Sequence, residues 1–473
     1  MTPATPALAA VRLLAARADL ARLGDVLAGA VPDWRGAAAR EAQEARAALR
    51  RRHEDLLADV DGVLAALGVA TLALAGGTPP AAVDAALALA LDAAGRDATG
   101  RDAPHAPPTT PAGAVDPDGV ARWWAGLDPA ARAALERDRP ALVGGLDGLP
   151  AAVRDRANRR LLATEQGRAL ADERAARERL ARVRDPIGLV TAAWELREVR
   201  ARLARLSAVA AAVDGPGRAL LDLEVDPRRQ DGEGVRAAVA QGDVDTAAHV
   251  GVFTPGFTTG VDELPRRLEE LDALAASAGP GTATVAWYGY DAPQVDEVAD
   301  PDRSVLGRGP AEEGGRRLAS FLDGLDAART GPDAHVTAVG HSYGSVVTAA
   351  ALAPGGAGGV DDVVYLGSPG VGPAPGRPPG HAWVVEAPGD PVADTGWFGP
   401  DPNRAPGVTG LSAREVALPD GRVLAGSHGH VGYLTPGSTS ATNVGAVVGG
   451  RPQDAVLDRG VGAGDRLRRV FER

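Results

Sequence analysis

The run His335-Val336-Thr337-Ala338-Val339 leads into Gly340-His341-Ser342-Tyr343-Gly344, and Ser345-Val346-Val347-Thr348-Ala349-Ala350-Ala351-Leu352-Ala353 follows. The first run is short and β-branched, as a buried strand is. The last is built of small apolar residues and suits a helix. Strand, Gly-x-Ser-x-Gly and helix together make a sharp turn that lifts a serine hydroxyl out of the end of a sheet. The turn is so tight that its flanks must be nearly bare, hence the glycines. With 61 glycines and 11 serines in 473 residues, chance supplies about 0.2 such patterns, so the setting carries the signal.

Outward from that turn, strand-like and helix-like runs alternate. Leu220 to Val225 alternates as a half-buried strand, and Val235 to Ala240 reads as a short helical stretch. Further strands are expected at His249–Thr254, Thr282–Trp287, Asp362–Gly367 and Ala382–Ala387, with helices at Val261–Ala278 and about Ala311–Ala328. Such alternation predicts an α/β domain over 216–473, with a mostly parallel sheet covered by helices on both faces.

A serine hydroxyl is a poor nucleophile until a base takes its proton, and that base is usually a histidine held by a carboxylate. After an elbow of this kind the partners follow in the order Ser, Asp or Glu, His. Glu386-Ala387-Pro388-Gly389-Asp390-Pro391-Val392 places Asp390 in a turn just past a strand, with Asp394 as its rival. Asp361 and Asp362 open their strand, at the wrong end of the sheet. Of the eight histidines, His53 and His105 lie outside the domain, and His249, His335 and His381 stand at or just before the start of a strand. His341 sits on the turn itself, usually a structural place. His428 and His430 remain, on a late loop. An oxyanion needs preorganised N–H donors. The backbone of Tyr343 supplies one, and Phe257 or Thr258, in the loop after an early strand, the other.

The N-terminal half reads as helical. Leu13, Leu20, Leu23 and Leu27 share one helical face, and Leu49, Leu56, Val60, Val63, Leu64 and Leu67 share another, across a break at Trp34-Arg35-Gly36. Residues 1–95 thus resemble the helical-hairpin WXG proteins associated with type VII secretion. Pro, Gly, Asp and Thr make 96–118 a linker. A second helical region is expected over 119–215, where Asp128-Pro129 opens a helix, Glu173 and Arg177 pair four apart, and Leu196, Val199, Leu203 and Leu206 form a seam open to self-association.

Net charge is −12, which argues against a general nucleic-acid binder. All 50 basic residues are Arg and there is no Cys, so disulfides, thiolate metal sites and a cysteine nucleophile are excluded. The longest strongly apolar stretch, Val63 to Gly76, is too short to span a bilayer, and no signal peptide is visible. The expectation is a cytoplasmic protein with no integral membrane segment, type VII or other non-classical export being the alternative, with the N-terminal helices free to meet a secretion partner.

Val285-Ala286-Trp287-Tyr288-Gly289-Tyr290-Asp291, the elbow, Leu366-Gly367-Ser368-Pro369-Gly370-Val371-Gly372 and Gly389-Asp390-Pro391-Val392 together resemble an alpha/beta-hydrolase family of unknown function common in actinobacteria. The resemblance covers roughly residues 119–450 and implies the alpha/beta-hydrolase fold with lipase- or esterase-like chemistry. Relatives often mark the base by His-x-x-Tyr, which His430-Val431-Gly432-Tyr433 fits, so the resemblance favours His430 and leaves His428 as the alternative base. The reading is a serine hydrolase of an ester or related acyl bond (EC 3.1), with Ser342, Asp390 and His430 as triad and no metal or cofactor. Its substrate would be a small-molecule or lipid ester. The alternatives are a non-catalytic binding or secretion-associated module and an acyltransferase or peptidase with the same triad. Loops at 288–310 and 370–380 are expected to wall the pocket, with Trp287, Tyr288 and Tyr290 as candidate aromatics, Trp287 reading better as core.

Overall fold

The computed structural model describes residues 116–226, 234–297, 303–354, 356–372, 381–399 and 401–458. The hairpin expected over 1–95, and the linker as far as residue 115, lie outside the described residues. Helix α1 (Pro117–Gly126) begins two residues inside the stretch read as linker. It is followed by α2 (Pro129–Asp138) and α3 (Pro140–Gly144), each opening on a proline that gives up no needed N–H. Asp128 caps α2 by accepting from the Ala131 N–H at 2.8 Å.

Two long helices come next, α4 (Ala151–Arg182) and α5 (Pro186–Val213). They run antiparallel and are laced by Arg202–Asp172 at 2.6 Å, Arg200–Glu173 at 3.0 Å and Arg179–Glu195 at 2.9 Å. Arg177 also meets Glu173, at 2.7 Å, as the spacing predicts. These pairs are solvated and each contributes little. What holds the hairpin down is its base, where Leu162, Leu206 and Val209 are buried against one face of the sheet. Leu196 and Leu206 of the apolar seam are buried within this chain.

Among the described residues eight strands form one sheet, in the order β1-β2-β4-β3-β5-β6-β7-β8. They are β1 (Arg218–Val225), β2 (Val235–Gln241), β3 (His249–Thr254), β4 (Thr282–Tyr288), β5 (His335–His341), β6 (Asp362–Leu366), β7 (His381–Val385) and β8 (Val408–Leu411). From β4 to β8 every pairing is parallel, whereas β2 pairs antiparallel with both β1 and β4. One face carries α7 (Gly309–Ala327) and α8 (Tyr343–Ala351), whose Phe321, Leu322 and Val347 pack with Trp287. The other carries α6 (Leu264–Ala278) and α9 (Thr439–Val448), whose Leu268, Leu271 and Val444 pack with Val339 and Val364. The fold is therefore that of the alpha/beta hydrolases, as expected.

One expectation fails. Val235–Ala240 is strand, not helix. Six residues are too few to repay helix nucleation, whereas a strand sandwiched between two neighbours pairs every backbone group. All six are buried, so the small alanines fill a sheet interior with layers on both sides. No helix among the described residues is long and apolar enough to cross a membrane.

Candidate active site

Strands β3, β5, β6 and β7 are parallel, so their carboxyl ends share one rim, and every group of interest lies on it. Ser342 follows β5 and caps α8 with φ 55° and ψ −128°, a conformation that costs a non-glycine residue about 1–3 kcal/mol. The fold holds it there. Its N–H donates to the Leu366 carbonyl at 2.9 Å, and Ser345, fully buried, donates to the Ser342 carbonyl at 2.6 Å. A Cβ on Gly340 would lie 2.7 Å from the Ser345 Cα, and one on Gly344 2.4 Å from the carbonyls of Thr254 and Pro255. The glycines of the motif are thus required by close approach of β5, α8 and the loop after β3. Gly256 is as tight, since its Cβ would stand 2.7 Å from that of Ser342.

His430 lies on the loop before α9. Its Nε2 is 2.7 Å from Ser342 Oγ, and its Nδ1 is 3.0 and 2.9 Å from the two oxygens of Asp390. A carboxylate accepts only, so Nδ1 carries the proton and Nε2 is free to accept from the serine hydroxyl. Asp390 is 2 % exposed. Burial alone would raise its pKa, but donation from His430, from the Tyr433 hydroxyl at 2.5 Å and from the Val392 N–H at 2.8 Å outweighs it and holds the carboxyl below its ordinary range. Tyr433 is itself fixed by the Ala387 N–H, which donates to its oxygen at 3.0 Å. His428 is exposed and its Nε2 lies beside Gly426, and the side chain of Asp394 lies outside the described residues.

The histidine before the serine is placed with equal care. His341 Nε2–H donates to the His430 carbonyl at 2.6 Å, and the two rings lie 4.9 Å apart. Desolvation, with the neighbouring His430 adding to it, lowers the His341 pKa to about 3, so the ring is neutral at any working pH. The sequence alone gives His341 a structural place and Tyr433 only a part in the His-x-x-Tyr pattern. Nothing in one dimension shows that either reaches Asp390 or the backbone of His430.

Two non-glycine residues in the described chain have positive φ, Ser342 and Thr258. A β-branched residue is rare there. The Thr258 N–H is taken by the Pro293 carbonyl at 3.0 Å, so Thr258 drops out as an oxyanion donor. The N–H groups of Phe257 and Tyr343 have no acceptor among the described residues, and both residues border the cavity that opens over Ser342.

That cavity measures about 440 Å³. Val305, Leu306, Trp397, Phe398 and Val431 make it mostly apolar, while Glu263, Arg266 and Arg267 of the α6 region border it from another side. The 288–310 loop thus contributes through its late residues. Residues 373–380 lie outside the described residues, and Pro369 and the 392–398 segment line the cavity instead. Of the aromatics expected there, none lines it. Trp287 is core, stacked on Tyr290 at 6.0 Å, and the Tyr290 hydroxyl donates to the Pro255 carbonyl at 2.8 Å, bracing the loop that carries Phe257.

Residues 226–400 match the alpha/beta hydrolase family. An uncharacterized protein of Mycobacterium tuberculosis (strain ATCC 25618 / H37Rv) is 37 % identical over 229 residues, which cover 44 % of this chain and 81 % of that relative. A second uncharacterized protein of that strain is 31 % identical over 300 residues, covering 57 % of this chain and 43 % of the relative. Among solved structures, an arylesterase is similar with 12 % identity and a TM-score of 0.33, covering 53 % of this chain and 91 % of its own. The esterase LipW from Mycobacterium marinum is similar with 17 % identity and a TM-score of 0.31, covering 57 % and 90 %. With the mycobacterial relative matched over most of its length, the chain belongs to the alpha/beta hydrolase family.

Proposed function

We propose that the protein is a serine hydrolase that cleaves an ester or related acyl bond. The observation that carries this reading is the unbroken relay from Asp390 through His430 to Ser342 Oγ, with contacts of 2.9 and 2.7 Å. Ser342 Oγ attacks the acyl carbon while its proton passes to His430 Nε2. The carbonyl oxygen becomes an oxyanion, received by the N–H groups of Phe257 and Tyr343. Each such donor is worth about 10²–10³ in turnover. His430 then gives the proton to the departing alcohol as the C–O bond breaks, leaving an acyl-serine. Water attacks that ester, yields its proton to His430 Nε2, and the acid leaves as the proton returns to Ser342. Asp390 stays ionised throughout and holds the imidazolium.

The test is labelling by a fluorophosphonate probe together with hydrolysis of p-nitrophenyl acetate. Both should be present in the wild type and absent in Ser342→Ala. Folded wild-type protein that takes no probe and turns over no ester would refute the reading and favour a non-catalytic binding module.

A further inference from the structure

We propose that the cavity over Ser342 selects esters that carry one long apolar chain and an uncharged polar remainder. This deepens the hydrolase reading and rests on it.

The first ground is an exposure that the fold maintains. Leu306, Trp397 and Val431 border the cavity at 51, 59 and 77 % exposure. Apolar side chains left in water usually collapse onto the nearest core. Here the backbone prevents it. Trp397 Nε1–H donates to the Leu306 carbonyl at 3.2 Å, so the indole is tied to the segment that carries Leu306. The Arg308 guanidinium donates to the Phe398 carbonyl. The Tyr343 hydroxyl donates to the Gly307 carbonyl at 2.8 Å and accepts from the Ala311 N–H at 3.1 Å. Phe398 meets the Tyr343 ring edge-on at 5.4 Å. The wall is therefore formed before any ligand arrives, as ligand sites usually are.

The second ground is charge. The polar side of the cavity holds two guanidinium groups that are already neutralised. Arg266 contacts Glu270 at 2.5 Å and Glu263 at 3.4 Å, and Arg267 pairs with Glu270 while lying over Phe253 at 4.3 Å. Two cations meet two anions, so among the described residues bordering the cavity no unmatched charge awaits an ionised headgroup. The hydrogen-bonding edges of these groups, and the Thr258 and Thr395 side chains that also line the cavity, suit hydroxyls and carbonyls instead.

Together these say what a substrate gains. Each methylene buried against the wall should raise kcat/KM about fourfold until the cavity is filled. An ionised group on the chain gains no partner there.

The test runs p-nitrophenyl acetate, butyrate and octanoate below their aggregation limits. The octanoate-to-acetate ratio of kcat/KM should exceed about 100 in the wild type and fall at least tenfold in Trp397→Asp and in Leu306→Asp. A ratio near one, or a ratio unchanged by both variants, overturns the inference. Binding of octyl glucoside to the Ser342→Ala protein checks the selection without turnover. It should weaken about tenfold with Trp397→Asp added, and octyl sulfate should bind no tighter. Failure of that binding sinks this inference. Intact binding with no turnover by the wild type sinks the nucleophile reading alone.

Discussion

Replacing His341 by alanine removes the hydrogen bond that ties the backbone of His430 to the turn carrying the serine. The loop that holds His430 includes Gly429 and Gly432 and lies next to the well-exposed Val431, so its own residues give it little stiffness. It is held at the Tyr433 hydroxyl, through Asp390 and the Ala387 N–H, and at the carbonyl that His341 meets. One neutral hydrogen bond contributes about 0.5–1.5 kcal/mol, which alone is a factor of up to about ten. The larger effect is geometric. The imidazole must stay within reach of Ser342 Oγ, now 2.7 Å away, and a shift of about 1 Å can cost about 100-fold. A fall of about 10- to 100-fold in kcat/KM for p-nitrophenyl acetate is expected, with a matching fall in the rate of fluorophosphonate labelling. His341→Gln keeps an N–H donor on a side chain of similar reach and should recover most of the loss. The acid limb of the pH profile should keep its midpoint, because a ring neutral down to about pH 3 supplies no charge to the site. A His341→Ala protein that is folded by circular dichroism and retains kcat/KM within twofold would refute the positioning role. So would a glutamine variant no faster than the alanine one.

Two other perturbations follow from the same structure. Tyr433→Phe strips a donor from the Asp390 carboxylate and leaves the Ala387 N–H without its acceptor; a charge-assisted bond of this kind is worth about 1.5–3 kcal/mol, so turnover should drop about tenfold and the melting temperature should fall in a thermal scan. At the opposite end of the sheet, His335 Nε2 lies 3.1 Å from an Asp362 carboxylate oxygen; pairing with that carboxylate raises the pKa of His335 against burial, and the groups around Asp362 outweigh its desolvation and lower the carboxyl. The histidine's contribution to stability is then complete below its unfolded pKa of about 6.5 and lost as pH rises through the higher folded value, while the aspartate's is lost as pH falls below about 4. Melting temperatures of wild type and His335→Asn should differ most between about pH 4 and 6.5 and converge in alkali; a difference that grows with rising pH would contradict the pairing.

The parts of this fold that were legible beforehand are those with strong local signals. The β-branched run 335–339, the small residues after Gly344 and the turn around Asp390 each state their own conformation. Val235–Gln241 does not. Its alanines favour helix in isolation, and only the neighbouring strands decide otherwise. The site shows the same division. Ser342, Asp390 and the choice between two late histidines follow from chain order and turn position, but the geometry that separates His430 from His428 is a matter of two residues on a glycine-containing loop. Position alone makes Thr258 a candidate donor, yet its N–H is spent on the Pro293 carbonyl, a contact 35 residues away that no spacing rule anticipates. The bonds that steady His430 are long-range, so the sequence alone gives His341 only a structural place.

Tyr343 joins two tasks in one residue. In the reaction proposed above its amide receives the oxyanion, and its phenol grips Gly307 and Ala311 in the segment that walls the cavity. A ligand bulky enough to push that segment outward must drag on the ring, and through it on the amide. Oversized substrates would then be penalised in turnover as well as in fit, so the width of the opening doubles as a check on the size of what is allowed to react.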